Sequence, residues 1–551
     1  MKKRLAWFLS IALVLSLAFS LMAPAVAEEK KGVGPNMLLL PSMENMSDVF
    51  PSCWDNYGLI GRMMLWSRLL RLNADLQPVY GDLAKEWVAS EDGLNYTFTL
   101  NDNIKWHDGK DLTPEDVAYS IKFAMKGPVL NAVMRNAFST IKGMKEFLAD
   151  ENAKPADEVE GIKVDGNAIS FTLAEPSGTF LLSTAQFNIL PKHELEKYEP
   201  LTFKTSAYFA MPIGSGPYFV KEFLPNDYAL FEAFPDYFGK KPQIQQVKMT
   251  QMTQADYPAR ALADEIDFFH INDLATAQAA VQNPNYEMHF VDIYFVRYFM
   301  WNALGASDQN PELFQDIRAR RAFVHAIDRQ ALADGLMPQQ AALTDTKVPA
   351  AFDYYNGDVY ELDYNPEKAK QLLQEANFDF SKTVKLAAYY ADQTTANFMD
   401  AIVSYLGEVG IKAEWKLMTG DITAQLYDVH DYDFVYAGLS AMTVEEAYNP
   451  FYSETVKTGR MGMVQPKGLT NMDALLEKLW VTSDPEERKA ILKDIQVVES
   501  EEMFWFLPMF SLRNLQVFNK ARVNLPAELV LSNEWSNYER YIDQWTLNPG
   551  E

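Results

Sequence analysis

The chain has 551 residues, 48% of them hydrophobic, and a formal net charge of −26 at pH 7. A chain of this length can bury a large core, and we expect it to divide into two or more domains. Its negative charge repels nucleic acid and anionic lipid headgroups, so the composition excludes both as natural partners. The single cysteine, Cys53, cannot form an internal disulfide bond and is predicted to be a small buried hydrophobic residue.

Residues 1–27 have the layout of a secretory signal peptide. Residues 2–4 are basic, residues 5–21 are apolar, and residues 25–27 form an A-x-A cleavage site. An uncleaved membrane anchor is the alternative, because the apolar stretch is nearly long enough to span a bilayer. No cysteine follows the apolar stretch. We therefore predict a free periplasmic protein rather than a lipoprotein.

Two short strands are predicted between residues 95 and 106. Tyr96, Phe98 and Leu100 alternate with threonines, which is the period of a half-buried strand. Ile104 and Trp106 continue the alternation and predict a second short strand.

A turn and a capped helix follow these strands. His107, Asp108 and a glycine predict the turn. Thr113, Pro114 and Asp116 predict a helix start, with an N-cap, a proline at the first helical position and a capping box. The His-Asp pair could ligate a metal, but no other histidine lies at a ligand spacing, so we interpret the stretch as scaffold. The predicted apolar face of the helix consists of Val117, Ile121, Ala124 and Met125.

The second half of the chain alternates predicted helices and strands. Asn365 and Asp484 each precede a proline and a run of helical period, so both are predicted N-caps. The segments "TVKLAAYYA" (383–391) and "YDFVYAGL" (432–439) are predicted to be buried strands. This alternation favours α/β lobes.

The sequence carries no recognisable catalytic or metal-binding motif. The six histidines are scattered, and neither H-E-x-x-H, G-x-S-x-G nor a phosphate-binding glycine loop occurs. We therefore predict that the protein is not an enzyme, with no catalytic residue, no metal ligand and no cofactor.

Five segments together resemble the family 5 extracellular solute-binding proteins, which are the oligopeptide-, dipeptide-, nickel- and sugar-binding components of ABC importers. They occur in the order typical of that family and cover most of the mature chain. The segments are "YTFTLNDNIKWHDGKDLTPEDVAYSIKF", "PIGSGPYFV", "IRARRAFVHAIDRQAL", "YNPEKAKQLLQEANF" and "DPEERKAILKDIQ".

The resemblance implies a two-lobed α/β periplasmic-binding fold, the Venus flytrap, with an extra subdomain inserted in lobe one. The implied crossovers between the lobes lie in the aromatic segments 296–302 and 503–518. The predicted domains are a signal peptide (1–27), a discontinuous lobe one (28–70, 202–296 and 510–551), the inserted subdomain (71–201) and lobe two (297–509).

The resemblance also suggests where a ligand would bind. Peptide-binding members carry an aspartate that pairs with the peptide ammonium, and Met442 stands at the corresponding place in this sequence. Glu445 and Glu446 follow a few residues later and could replace that carboxylate. Aromatic and amide residues near the crossovers and the first cleft loop complete the predicted site, which consists of Trp54, Tyr57, Tyr298, Trp301, Asn302, Met442, Glu445, Glu446 and Phe510.

Two ligand classes remain open at this point. A peptide receptor is favoured because most members of the family bind peptides. An oligosaccharide receptor is favoured by the missing aspartate and by the aromatic content of 13%. A secreted hydrolase, a nickel or haem receptor and a signalling role are further alternatives. The implied partners are the small solute and an inner-membrane ABC permease, and the protein is expected to be a monomer.

Overall fold

The computed structural model describes residues 36–42, 45–54, 60–72, 77–305, 312–441, 444–457, 462, 469–482, 484–526 and 542–548. The predicted signal peptide lies outside the described residues, as do the predicted site residues Tyr57 and Met442. Glu446 lies on a described helix, but its side chain is outside the described part. Within the described part, no helix has both the length and the apolar composition needed to cross a bilayer.

Short strands and helices alternate along most of the described chain. The strands are β1 Met37–Ser42, β2 Leu70–Leu72, β3 Pro78–Gly81, β4 Ala84–Ala89, β5 Asn95–Leu100, β6 Ile162–Asp165, β7 Ala168–Thr172, β8 Tyr218–Leu224, β9 Tyr228–Ala233, β10 Gln246–Gln251, β11 Phe268–Ile271, β12 Tyr286–Val291, β13 Phe295–Trp301, β14 Ala341–Leu343, β15 Thr383–Ala388, β16 Lys412–Leu417, β17 Phe434–Ser440, β18 Phe506–Leu512, β19 Asn514–Asn519, β20 Val523–Asn524 and β21 Thr546–Leu547.

The α-helices are mostly shorter than four turns. They are α1 Met46–Val49, α2 Ile60–Leu65, α3 Pro114–Lys126, α4 Ala132–Ser139, α5 Met144–Ala149, α6 Phe180–Gln186, α7 Lys192–Leu195, α8 Tyr257–Leu262, α9 Leu274–Ala280, α10 Ile317–His325, α11 Arg329–Leu336, α12 Pro366–Glu375, α13 Gln393–Glu408, α14 Ile422–Ala424, α15 Val444–Tyr448, α16 Ser453–Val456, α17 Leu469–Val481 and α18 Pro485–Val498. Two π-helical turns occur in the described chain, Gln425–Val429 after α14 and Glu499–Met503 after α18.

Three larger sheets and one three-stranded sheet organise most of these elements, and the pairs β2-β3 and β20-β21 form separate two-stranded sheets. The first has the order β1-β10-β9-β8, and the antiparallel sheet β4-β5-β7-β6 is inserted in the chain between its first two strands in sequence. A small sheet has the order β11-β19-β12, and a mixed six-stranded sheet has the order β14-β18-β13-β17-β15-β16. The chain therefore enters the six-stranded sheet from β12 into β13 and leaves it from β18 into β19.

The buried hydrophobic residues form separate clusters on either side of these two connections. One cluster joins the β1-β10-β9-β8 sheet to the inserted β4-β5-β7-β6 sheet in a common core. A second cluster contains only residues between 293 and 512. The predicted lobe boundaries, 296/297 and 509/510, lie inside β13 and β18. The assignment of these bodies as lobes and subdomain stays a prediction.

Local sequence signals predict several of these elements correctly. Thr113 caps α3 in a capping box: its side chain accepts a hydrogen bond from the Asp116 backbone N–H, and the Asp116 carboxylate accepts one from the Thr113 backbone N–H. Asn365 and Asp484 accept hydrogen bonds from the first turns of α12 and α18. Cys53 is buried, as predicted.

The predicted second strand at Ile104 and Trp106 is wrong. Both side chains are buried, but the backbone forms only an isolated bridge between Lys105 and Asp111. The chain turns at Asn103, where φ is 56°, and turns again within a few residues. Too little extended backbone remains between the turns for a ladder of hydrogen bonds.

His107 connects two of the segments that carry the family resemblance. Its Nδ1 accepts a hydrogen bond from the Gly214 N–H at 3.1 Å, and its other ring nitrogen donates to the Gly216 carbonyl at 3.0 Å. The histidine is therefore neutral and structural, as the scaffold interpretation predicts. Burial lowers the pKa of His107 to about 4.

This histidine is expected to make the fold sensitive to acid. In the unfolded chain its pKa is 6.5, so between pH 6.5 and about 4 only the unfolded chain binds the proton. The free energy of unfolding should therefore fall over that interval, by on the order of 2 kcal/mol for a half-buried ring. Denaturant titrations from pH 7 to pH 4 should show a shallower fall in His107→Gln than in the wild-type protein. Equal pH dependence in the two proteins would contradict this role.

Candidate functional site

A cavity of about 590 Å³ lies between the inserted β4–β7 region and the body that contains the six-stranded sheet. One wall comes from α4 and the segment 175–179, and the other from the region between α15 and α18. The lining is mixed, with both apolar and polar side chains on each wall. The polar and aromatic lining residues include Asn136, Glu175, Glu445, Asn449, Tyr452, Glu477, Trp480 and Arg488.

The first wall depends on the packing of Trp54. The Trp54 ring stacks on Phe187 at 5.5 Å between ring centroids, and its Nε1 donates to the Asn188 carbonyl at 2.8 Å. Its own carbonyl accepts from the N–H of Asn131, and Asn131 caps α4. Trp54 is 2% exposed. It therefore positions the helix that lines the cavity and is not itself among the lining residues.

The second wall contains an internal ion pair. Arg488 pairs with Glu445, and both side chains are nearly buried. Arg488 also donates to the carbonyls of Leu479 and Thr482, at 2.8 and 2.7 Å, and so caps the carboxyl end of α17. Burial lowers the pKa of Arg488 to about 10, which leaves it charged at neutral pH. Glu445 thus lines the cavity, but its charge is already balanced within the protein.

Glu477 is a solvent-exposed carboxylate on the same wall. It accepts a hydrogen bond from the Tyr452 hydroxyl at 2.9 Å. Among the described residues it forms no ion pair, whereas Glu175 on the opposite wall pairs with Lys145 at 3.2 Å. The cavity therefore has an excess of negative charge that is available to a ligand.

An aromatic pair and an amide complete the polar chemistry of the cavity. The rings of Tyr452 and Trp480 meet edge to face at 4.9 Å between centroids. The Asn449 side-chain oxygen is buried and accepts no hydrogen bond from any described residue. A buried acceptor of this kind favours a partner that brings a donor.

The two walls meet directly at Gly178. Its N–H donates to the Trp480 carbonyl at 2.9 Å. A Cβ at this position would overlap the Arg488 guanidinium and lie 2.9 Å from the Thr482 carbonyl oxygen. Glycine is therefore required here by the close approach of the two walls.

Other predicted site residues lie on β13 and β18. Tyr298 packs edge to face on Phe506, with 4.5 Å between centroids, and Phe510 packs on Phe398 at 5.6 Å. Both are buried in the six-stranded sheet; Tyr298 lies at the middle of β13, and Phe510 lies in the second half of β18. Their contact with a ligand stays a prediction.

Trp301 and Asn302 lie at the opposite end of β13. Trp301 packs on Trp505 at 4.6 Å between centroids. The Asn302 amide donates to the carbonyls of His430 and Tyr432, at 2.9 and 2.8 Å. Neither residue is among those that line the cavity, so the structure does not bring them together with Glu445.

The spacing of histidines in the sequence does not reveal one possible metal-ligand cluster. Asp108, His193 and Glu194 bring their ligand atoms within 4.8 Å of one another. The two carboxylates already pair with lysines, Asp108 with Lys110 at 2.9 Å and Glu194 with Lys197 at 2.6 Å. The arrangement is that of a surface ion-pair network.

The sequence also did not predict three of the cavity residues, Glu477, Trp480 and Arg488. They lie on α17 and α18, whose amphipathic pattern identifies them only as members of a polar or boundary face. Their role depends on contacts with the segment 175–179, which is far away in the chain. No local signal marks such contacts.

Comparison with known protein families finds a match that covers most of this chain. The family described as bacterial extracellular solute-binding proteins, family 5, matches residues 78–459. NikZ from Campylobacter jejuni, solved in complex with Ni(L-His), superposes with a TM-score of 0.74 at 20% identity, covering 93% of this chain and 100% of that chain. AppA from Bacillus subtilis, solved with a nonapeptide, gives a TM-score of 0.69 at 20% identity, covering 93% and 99%. The predicted two-lobed α/β fold is confirmed.

Two relatives found by sequence match a smaller share of this chain than these structures do. A Brucella abortus protein named for ABC-transporter peptide binding is 30% identical over 352 residues, which are 61% of this chain and 60% of that protein. The dipeptide-binding protein of Escherichia coli K12 is 26% identical over 336 residues, covering 59% of this chain and 60% of that protein. The chain thus matches about three-fifths of the length of these relatives.

Proposed function

Because this chain belongs to family 5 of the bacterial extracellular solute-binding proteins, we propose that it is the substrate-binding component of an ABC importer. It captures a peptide-like solute between two lobes and delivers it to an inner-membrane permease. Residues 1–27 direct it to the periplasm, where it acts as a monomer and not as an enzyme. Relatives named for peptide and dipeptide binding support this choice of solute.

The cavity between the two walls is the observation that carries the proposal. Its volume of about 590 Å³ lies in the range of small-molecule sites, which bury most of a ligand among apolar walls with a few oriented polar groups. Gly178 and Trp480 already join the walls by a backbone hydrogen bond. A solute that contacts both walls therefore stabilises the closed arrangement.

Glu477 is the group we propose for the ligand ammonium. A buried ammonium needs a counter-charge, because its desolvation is otherwise costly. Glu445 is neutralised by Arg488, whereas Glu477 has only the Tyr452 hydroxyl as a partner within the described residues. Glu477 thus replaces the aspartate that peptide-binding members carry at the place of Met442.

Two further groups suit a peptide backbone and side chain. The Asn449 oxygen is a buried acceptor, and a peptide N–H is the donor that would satisfy it. The edge-to-face pair of Tyr452 and Trp480 offers an apolar surface to a ligand side chain.

An oligosaccharide is the second candidate solute. Trp480 and the amides of Asn136 and Asn449 line the same cavity, and sugars bind to aromatic faces and neutral amides. The unpaired charge of Glu477 favours the peptide over the sugar.

A thermal-shift screen of residues 28–551 tests the proposal, with a pool of short peptides against a pool of oligosaccharides. A ligand at a hundred times its dissociation constant stabilises the folded protein by about 2.7 kcal/mol. We expect a rise in Tm with the peptides and not with the sugars. A rise with the sugars alone would contradict the peptide assignment, and no rise with either pool would contradict both.

The variant Glu477→Gln is expected to weaken peptide binding by up to about fivefold, because the Glu477 side chain is exposed and a solvent-exposed charge pair contributes up to about 1 kcal/mol. The matched control is Glu414→Gln, an exposed glutamate on β16 of the same body that does not line the cavity. Titration calorimetry with the best peptide of the pool measures both. Equal affinities in the two variants would rule out Glu477 as the ammonium partner.

A further inference from the structure

The inserted region and the body that contains the six-stranded sheet are joined by little besides the chain itself. Among the described residues, one hydrogen bond connects residues 71–201 to residues 297–509, from the Gly178 N–H to the Trp480 carbonyl at 2.9 Å. Parts of one chain that share so small a contact are expected to move relative to one another. The separation of the two walls therefore depends on what happens at this place.

The Gly178 N–H completes the cap of α17. The last carbonyls of a helix have no donor within the helix and need one from elsewhere. Arg488 supplies the donor for the carbonyls of Leu479 and Thr482. Gly178 supplies the donor for the carbonyl of Trp480, which lies between them in the chain. One cap of this helix therefore comes from the opposite wall and is lost when the walls separate.

The lack of a side chain at Gly178 matters only while the walls are together. A Cβ there would overlap the Arg488 guanidinium and lie 2.9 Å from the Thr482 carbonyl oxygen, and both groups belong to the opposite wall. The guanidinium is held in place by Glu445 and by the end of α17. The φ of Gly178 is not among the positive values, so the backbone itself accepts an alanine. An alanine would therefore oppose the closed arrangement and leave the separated walls unaffected.

The two chain connections between the bodies form a separate joint. Asp292 lies between β12 and β13, Arg513 lies between β18 and β19, and the two side chains pair at 2.8 Å. Neither residue belongs to the segments that meet at Gly178. A rotation at this joint can therefore separate Gly178 from Trp480 without breaking the ion pair that holds the connections together.

We propose that Gly178 and the carboxyl end of α17 form a latch that sets the affinity for every solute by a common factor. The inference rests on the proposed function and adds how the closed arrangement is held. The apparent dissociation constant rises as the fraction of closed protein falls. Gly178 is not among the residues that line the cavity, so loss of the latch changes that fraction and not the preference between solutes.

The variant Gly178→Ala tests the latch by titration calorimetry with the peptides of the pool. We expect every peptide to bind about fivefold more weakly or worse, the change that loss of one hydrogen bond produces, and by the same factor for all of them. Gly178→Val, with a larger side chain, should weaken binding further. The matched control is Gly407→Ala on α13, where no atom lies within 4 Å of an added Cβ. It should bind as the wild-type protein does, and all three variants should keep its Tm.

Single-molecule energy transfer measures the latch without any solute. Cysteines introduced at Glu146 on α5 and Glu486 on α18 carry the dyes, because both residues are exposed and lie on opposite sides of the cavity, and the natural Cys53 is buried. We expect the closed fraction to be lower in Gly178→Ala than in the wild-type protein or in Gly407→Ala. Equal closed fractions would overturn the inference.

The binding data separate the latch from the proposed function. A Gly178→Ala protein that binds peptides as Gly407→Ala does would overturn the latch and leave the proposed function standing. A loss that differs from peptide to peptide would also overturn it, because the segment would then contact the solute itself. A wild-type protein that binds no peptide would overturn the proposed function, and the energy-transfer comparison would still decide the latch.

Discussion

Replacing Arg488 by methionine is expected to lower the free energy of unfolding by about 3–5 kcal/mol, the usual cost of leaving one partner of a buried ion pair alone. Glu445 would keep its place on α15 with no cation beside it, and both side chains of the pair are nearly buried. The carbonyls of Leu479 and Thr482 would also lose their donor. Equilibrium denaturation in urea at pH 7 measures the change.

Two further variants separate the charge effect from the loss of packing. The double variant Arg488→Met/Glu445→Leu should recover most of the lost stability, because replacing both charges by apolar groups is often neutral. Arg318→Met, which breaks the exposed pair with Asp316, should change stability by less than about 1 kcal/mol. An Arg488→Met protein as stable as the wild type would show that the pair does not support the cavity wall.

The second large effect concerns a buried lysine and glutamate beneath the same wall. The Lys347 ammonium donates to the Ala447 carbonyl on α15 and lies over the Phe506 ring at 3.9 Å from the centroid. Glu499, in the π-helical turn after α18, accepts a hydrogen bond from the Tyr448 hydroxyl at 2.7 Å. Burial lowers the pKa of Lys347 to about 7 and raises the pKa of Glu499 to about 7.

These two groups should give a minimum in stability near pH 7. Between pH 4.5 and 7 the folded protein holds a Glu499 proton that the unfolded chain has released, so the free energy of unfolding falls as pH rises. Between pH 7 and 10.5 the unfolded chain holds a Lys347 proton that the folded protein lacks, so the free energy of unfolding rises again.

The variant Lys347→Met/Glu499→Gln isolates this contribution. The free energy of unfolding of this variant should exceed that of the wild-type protein by the largest amount near pH 7. The difference should shrink toward pH 5 and pH 10. The control variant Lys370→Met/Glu367→Gln changes an exposed pair on α12 and should give a difference that is flat with pH. Urea titrations across this range measure both, and a flat difference for the buried pair would contradict the assignment.

Helix starts were predictable from the sequence because their causes are local. The side chains of Thr113, Asn365 and Asp484 each accept a hydrogen bond from a backbone N–H three residues later, so the signal and the contact lie in the same short window. The prediction of a strand at Ile104 was wrong because buried and exposed side chains can also alternate along a loop that is closed by two turns. An alternating hydrophobic pattern indicates which side chains are buried. It does not indicate which hydrogen bonds the backbone forms.

The candidate site was only partly predictable, because its geometry is made by distant segments. Glu445 was expected from its position after β17, but its partner Arg488 comes from another helix, and Gly178 comes from the inserted region. Trp301 and Asn302 were chosen as aromatic and amide residues near a crossover. Composition could not reveal that the Asn302 amide already donates to two carbonyls inside the protein.

Hydrogen–deuterium exchange with and without the peptide pool tests the central claim most directly. If a solute is captured between the two walls, amides in α4 on one wall and α17 on the other should both gain protection, together with the N–H of Gly178, which bonds to Trp480. Protection confined to one wall, or to a surface away from the cavity, would contradict capture between the lobes.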